Sequence, residues 1–190
     1  MPKTFSTRAK VVTATAAVAV IGTGVVGAVS ASAESPSAAA APATAVQAAL
    51  KDKSTVTTDH LSVDAATRAA QAALDAAQKG NQHVSVAVVD RNGTTLVTLR
   101  GDGAGPQSYE SAVAKAYTAV SWNAPTSELA KRLTANPELK DIPHTLFLAG
   151  GTPVDHDNAP IAAIGVAGAP SGDLDEQFAR AGLAAISNGR

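Results

Sequence analysis

The sequence predicts an α+β domain, an antiparallel β-sheet flanked by α-helices. Three observations point there. A valine-rich segment, Val84 to Val89, and a return segment, Thr94 to Arg100, flank Asp90-Arg91-Asn92-Gly93. Asn-Gly is a hairpin dipeptide because both residues tolerate positive φ. Val154 and the run Ile161 to Val166 flank a second polar turn, Asp155-His156-Asp157-Asn158. Alanine-rich stretches with apolar residues three and four apart lie before, between and after these pairs. Hairpin-joined strands make the sheet antiparallel, and amphipathic helices bury their apolar stripes on it.

Taken in order, Ser62 is placed to cap a helix that runs to about Lys79. Ala66, Ala69, Ala70, Ala73, Leu74 and Ala77 share one face, and Gly80 ends it. The first hairpin follows. Gly101 to Pro106 is a loop, and a second helix spans about Gln107 to Ser121. On it Ser108, Ser111, Lys115 and Thr118 form a polar stripe, while Ala112, Ala116, Ala119 and Val120 form an apolar one. Pro125 breaks the chain, and Thr126 is the expected cap of a short helix through Leu133. Thr145 to Leu148 reads as a strand that runs into a Gly150-Gly151-Thr152-Pro153 turn. The second hairpin comes next, then a last helix from about Asp173 to Ser187. The expected order is α, ββ, α, α, β, ββ, α.

Composition divides the chain into three parts. Lys3, Arg8 and Lys10 precede an apolar run from Val11 to Val29, and Ala31-Ser32-Ala33 fits a signal-peptidase site. Residues 1–33 are therefore expected to be a secretory signal, and the protein to be secreted and extracellular. Residues 34–50, rich in Ala, Pro, Ser and Thr, have the composition of a flexible tether. Residues 51–190 are the expected folded domain, of a size that suits one core.

The signal holds three of the fifteen basic residues and no acid. The remainder carries twelve basic and sixteen acidic residues, a net charge of −4. No basic stripe survives, which argues against nucleic acid as a partner. Cysteine is absent, so thiolate ligation and Cys nucleophiles are excluded. No Gly-x-Ser-x-Gly elbow occurs, and Gly101-x-Gly103-x-Gly105 is neither a dinucleotide fingerprint nor a phosphate loop.

The candidate ligands are few. Asp173 and Glu176, at i and i+3, could hold a cation such as iron, or could form a capping box at the last helix. On a strand, His144 and Thr145 would point to opposite faces, so one of them enters a given pocket. Imidazole is the better iron ligand of the two. His60 lies before the first helix, Glu110 near the start of the second, and Lys115 on the polar stripe, where it could meet an anion such as a haem propionate.

These residues resemble a family. Val86-Ala87-Val88-Val89-Asp90-x-x-Gly93 is similar to the hairpin of small proteins of the GlcG/HbpS type. So are Ser108…Ala112-x-x-Lys115-Ala116-Tyr117-Thr118-Ala119, Gly150-Gly151-x-Pro153, and Ile164-Gly165-Val166-Ala167-Gly168-Ala169…Asp173. The secretion signal and Ser121-Trp122-Asn123-Ala124-Pro125-Thr126 look most like the HbpS branch, and the likeness covers about Leu61 to Ile186. It implies a secreted homo-oligomer, an octamer in that branch. Such a protein binds haem, degrades it, holds the released iron and modulates a membrane sensor kinase in oxidative-stress signalling. By position it implies Thr145 in haem coordination, Asp173 and Glu176 as an acid-x-x-acid iron motif, Glu110 as the first acid of another, and His60 as a surface iron ligand. Val113 stands where the second acid of the Glu110 motif would be, which weakens that site. The alternatives are a non-enzymatic haem- or iron-responsive accessory of a sensor, and a corrinoid-binding module, since fold alone does not fix the ligand.

Overall fold

The computed structural model describes residues 54–187. The expected signal and tether lie outside the described residues. Helix α1 (Val63–Lys79) begins where Ser62 Oγ accepts the Ala65 amide at 3.2 Å, and it buries the six predicted alanine and leucine positions. Strands β1 (Ser85–Asp90) and β2 (Thr95–Arg100) form the first hairpin. Its turn is held by Asp90 Oδ1, which accepts the Asn92 and Thr94 amides at 2.9 and 2.8 Å, and Gly93 supplies the positive φ of 84°. Helix α2 (Pro106–Trp122) follows, with Pro106 in its first turn and Asn123 left-handed at its end. Next come α3 (Thr126–Arg132) and a 3-10 turn (Pro137–Asp141). Strands β3 (Gly151–His156) and β4 (Ala159–Ala167) form the second hairpin. Asp157 and Asn158 both take positive φ, as a two-residue type I′ turn requires. Helix α4 (Gly172–Ser187) closes the fold.

The sheet order is β2-β1-β4-β3, every neighbour antiparallel. Val86, Val88, Ala162, Ile164 and Val166 point to the face covered by α1 and α4, where the main core sits. Ala87, Val89, Ala163 and Ala167 point to the other face, against α2. Small residues line both sides of that second contact. At Gly165 the approach is closest: an added Cβ would collide with the Ala112 carbonyl and stand 2.6 Å from the Ala116 amide. Glycine at this strand position lets α2 lie directly on the sheet.

Four expectations need correction. Thr145 to Leu148 is not a strand. Its apolar pattern comes from Phe147, which is buried with Ala124 and Leu129 and meets Trp122 edge-on at 5.2 Å. The Leu146 amide goes to Thr118 Oγ1 at 2.7 Å instead of to a neighbouring strand. The Gly-Gly-x-Pro segment is not a turn either, because Gly151 opens β3. Pro153 is tolerated there because β3 is an edge strand. Thr126 does not cap α3. Its hydroxyl accepts the Gly151 amide at 2.7 Å, and the Glu176 carboxylate takes the Ser127 amide at the start of α3. Asp173 is not the cap of α4. Ser171 is, its hydroxyl accepting the Leu174 amide at 3.2 Å.

Candidate functional site

Beside its alanine stripe, helix α2 also turns polar residues toward the protein. Ser108, Lys115 and Thr118 of the predicted polar stripe are all buried. Ser108 shares a 2.8 Å hydrogen bond with Ser85. Lys115 Nζ donates to Asp175 Oδ2 at 2.7 Å and to the Val166 carbonyl at 3.0 Å. Its ammonium is thus the buried partner of Asp175 and does not line the groove described next. Burial pushes the Asp175 carboxyl above its ordinary value, against the opposing pull of Lys115 and of the amides at Ala169 and Gly168.

The opposite stripe of α2 carries Tyr109, Glu110, Val113, Ala114 and Tyr117. With Gly93 and Thr95 of the first hairpin and His144 of the segment before β3, it encloses a groove of about 670 Å3. That volume suits a cofactor-sized ligand. The hairpin turn lies against the Tyr117 ring: a Cβ at Gly93 would stand 2.7 Å from Tyr117 Cε2. The Tyr117 and His144 rings meet edge-on, centroids 6.2 Å apart. His144 holds a left-handed φ of 66° although it is not glycine. Neither ring nitrogen of His144 has a hydrogen-bond partner among the described residues. Among the described residues no lysine or arginine lines this groove.

The remaining predicted residues fall elsewhere. Thr145 is half-buried and donates its hydroxyl proton to the Ile142 carbonyl at 2.7 Å. Glu176 is buried and fully engaged. Oε2 accepts the Ser127 amide at 3.0 Å and the Gly150 amide at 3.4 Å, and Oε1 accepts Ser127 Oγ and Arg180, both at 2.8 Å. Burial alone would raise its carboxyl, but the bonds from Arg180, Ser127 and Gly150 outweigh burial and hold it below the ordinary value. Asp173 is exposed in the same small cleft as Glu176, which Arg180 also lines. His60 is exposed and bonded to Thr58 Oγ1 at 3.1 Å. Among the described residues no three His, Asp or Glu side chains are grouped to hold a metal ion. The structure therefore joins Glu110 and His144 in one groove, Asp173 and Glu176 in a second cleft and Lys115 with Asp173 in a third, and leaves Thr145 and His60 apart.

Tyr109, Tyr117 and Gly93 were not predicted as site residues. A signal existed: Tyr109, Val113 and Tyr117 recur every four residues, a second stripe on α2. Asp175 was also missed, because a carboxylate beside two others in a first helical turn looks solvated.

Residues 61–184 match the family model described as haem degrading protein HbpS-like. This chain is an HbpS-like protein. Solved structures agree with the membership. A double mutant of Streptomyces reticuli HbpS is 68% identical over 77% of this chain and 99% of its own, with a TM-score of 0.73. A structure of HbpS is 69% identical over 75% of this chain and 100% of its own, with a TM-score of 0.72. A PduOC:haem complex is 30% identical over 69% of this chain and 98% of its own, with a TM-score of 0.63. No match was found among curated proteins. The HbpS-like membership confirms the α+β fold of four helices and a four-stranded antiparallel sheet. It also sets the chain among haem-related proteins.

Proposed function

We propose that this chain binds haem in the groove between α2 and the β1–β2 turn and that haem is degraded there. The observation that carries the reading is the groove itself: cofactor-sized, walled by Tyr109 and Tyr117, and bordered by an imidazole whose nitrogens have no hydrogen-bond partner among the described residues. The related PduOC is solved as a haem complex. Bound haem iron would supply the oxygen chemistry, and the protein would supply binding and orientation. Val113, Ala114 and the tyrosine rings offer apolar contact to a flat ring. The absence of lysine and arginine from the lining leaves the propionates to solvent. Among the described residues, Glu110 is the one carboxylate that lines the groove.

In the wider reading, the protein is secreted, assembles as a homo-oligomer and modulates a membrane sensor kinase under oxidative stress. Released iron is held at surface carboxylates, with exposed Asp173 as the first candidate, since the Glu176 carboxylate is buried and already engaged. Resemblance to the HbpS branch supports these parts.

A haemin titration of the purified protein tests the core of the proposal. Saturable binding with a Soret shift, then loss of the band and release of iron on adding peroxide, is the expected result. A stable band under peroxide would leave a haem-binding accessory protein without turnover. Absence of a Soret shift would overturn the proposal.

A further inference from the structure

We propose that the cleft shared by Lys115 and Asp173 binds a small amino acid with an aliphatic side chain. This cleft has a volume of about 410 Å3 and shares no lining residue with the groove, so the proposal does not depend on haem. Three kinds of group meet there. The first are donors. Lys115 Nζ carries three N–H bonds, and Asp175 and the Val166 carbonyl take two of them. The side chain is only 6% exposed, so little water reaches the third, and a charged donor left unfilled in such a place is costly. Gly172 and Asp173 open α4, and their amides have no acceptor among the described residues. Both residues line the cleft. The second is an acceptor, the exposed Asp173 carboxylate at the rim, which has no partner among the described residues. The third is an apolar wall of Leu148, Ala149, Ala169 and Pro170, on which Leu148 is 58% exposed.

The charges select the class of ligand. The cleft is lined by one ammonium, Lys115, and two carboxylates, Asp173 and Asp175. Asp175 already neutralises Lys115, so a simple anion would meet the Asp173 charge without relief. A simple cation would leave the amides and the third Lys115 proton unfilled. A zwitterion answers both ends. Its carboxylate takes the α4 amides and the spare Lys115 N–H, at a helix start where the dipole favours negative charge. Its ammonium pairs with Asp173 at the rim. An aliphatic side chain lies on Leu148 and Pro170 and removes their apolar surface from water. Leucine has all three parts.

The test is a titration of the purified protein with leucine in metal-free buffer, followed by calorimetry and by amide NMR. Saturable binding with a Kd of about 1 mM or tighter is expected, with the largest shifts at the Gly172 and Asp173 amides. Isocaproate lacks the ammonium and isoamylamine lacks the carboxylate, and each should bind at least about tenfold more weakly than leucine. Asp173→Asn removes the rim charge at an exposed side chain that holds no partner, so the fold is kept. It should weaken leucine about tenfold and bring it level with isocaproate. Leu148→Ser should weaken leucine and isocaproate alike, several-fold each, because both use the apolar wall. Equal affinity for leucine and isocaproate in wild type, or full leucine affinity in Asp173→Asn, would overturn the assignment of a zwitterion. Absence of saturable leucine binding, or shifts confined to the groove around Tyr109, would overturn the site.

Discussion

Replacing Lys115 with methionine removes a charge and keeps most of the side-chain volume. The side chains of Lys115 and Asp175 are only 6% and 4% exposed, and their charged atoms are 2.7 Å apart. Losing the ammonium leaves the Asp175 carboxylate buried, with only backbone amides such as that of Ala169 for partners. Breaking a buried pair from one side costs about 3–5 kcal/mol at neutral pH, because an uncompensated charge remains. In wild type, burial already holds the Asp175 carboxyl above its ordinary 3.8, and Lys115 pulls it back. A raised carboxyl favours folding below that ordinary value, and the contribution is lost as pH rises through the folded-state value. Without Lys115 the carboxyl climbs further. The deficit of Lys115→Met is therefore largest at pH of about 7–8 and shrinks as pH falls toward about 5, where the neutral acid tolerates burial. The double variant Lys115→Met, Asp175→Leu should be more stable than the single one at pH 7. It should still trail wild type by roughly 1–3 kcal/mol, since the Ala169 amide loses its acceptor. Urea unfolding of all three proteins across that pH range is the assay. A single-variant deficit under about 1 kcal/mol, or one that does not change with pH, would refute the argument.

Three further predictions concern the scaffold of the groove. Gly165→Ala should destabilise by at least about 1–3 kcal/mol in thermal or urea unfolding, because α2 must lift off β4 to admit the methyl; an unchanged midpoint would refute the close approach. Glu176→Gln should cost about 1–3 kcal/mol at pH 7 by weakening charge-assisted bonds to Ser127 and Arg180. Because the Glu176 carboxyl is lowered from 4.5, its stabilisation is present above that pH and lost below it, so the variant and wild type should converge in acid. Thr118→Val should leave the Leu146 amide without an acceptor and cost about 1–3 kcal/mol. Leu146 lies two residues from His144, so haemin affinity should fall several-fold with the spectrum unchanged. Equal stability and affinity would sink the claim that Thr118 anchors this segment.

Period and turn chemistry made most of the fold legible. The alanine face of α1, the Asn-Gly hairpin, and the α2 and β4 segments lie where hydrophobic spacing puts them. What failed were local rules overridden by distant partners. Thr126 looks like a cap in sequence, yet its hydroxyl serves Gly151, and Glu176 from another helix does the capping. Thr145 to Leu148 looks like a strand because Phe147 is buried, yet it is buried against α2 and α3. The polar stripe of α2 looks solvated, yet it faces the sheet, because Asp175, sixty residues further on, neutralises Lys115. At the groove, Glu110 and His144 were named in sequence, but their proximity depends on a left-handed turn that no periodicity signals.

The two stripes of α2 suggest why the segment before β3 has so little regular structure. It passes from the groove at His144 toward Lys115, and most of its anchors come from elsewhere. Thr118 holds Leu146, Phe147 packs under Trp122, and Glu176 and Thr126 take the Gly150 and Gly151 amides. Gly150 itself has no room for a side chain, since a Cβ there would lie 2.5 Å from the Val166 carbonyl oxygen and 2.7 Å from Lys115 Nζ. A regular strand would satisfy its own amides and set side chains by alternation. Three of its amides, at Leu146, Gly150 and Gly151, are instead satisfied by fixed side chains of α2, α4 and α3, so the directions of these residues are set separately. That freedom turns the His144 ring toward Tyr117 while Thr145 bonds backward to Ile142. Glu176 and Thr126 fasten one end of the segment, and the groove lies at the other.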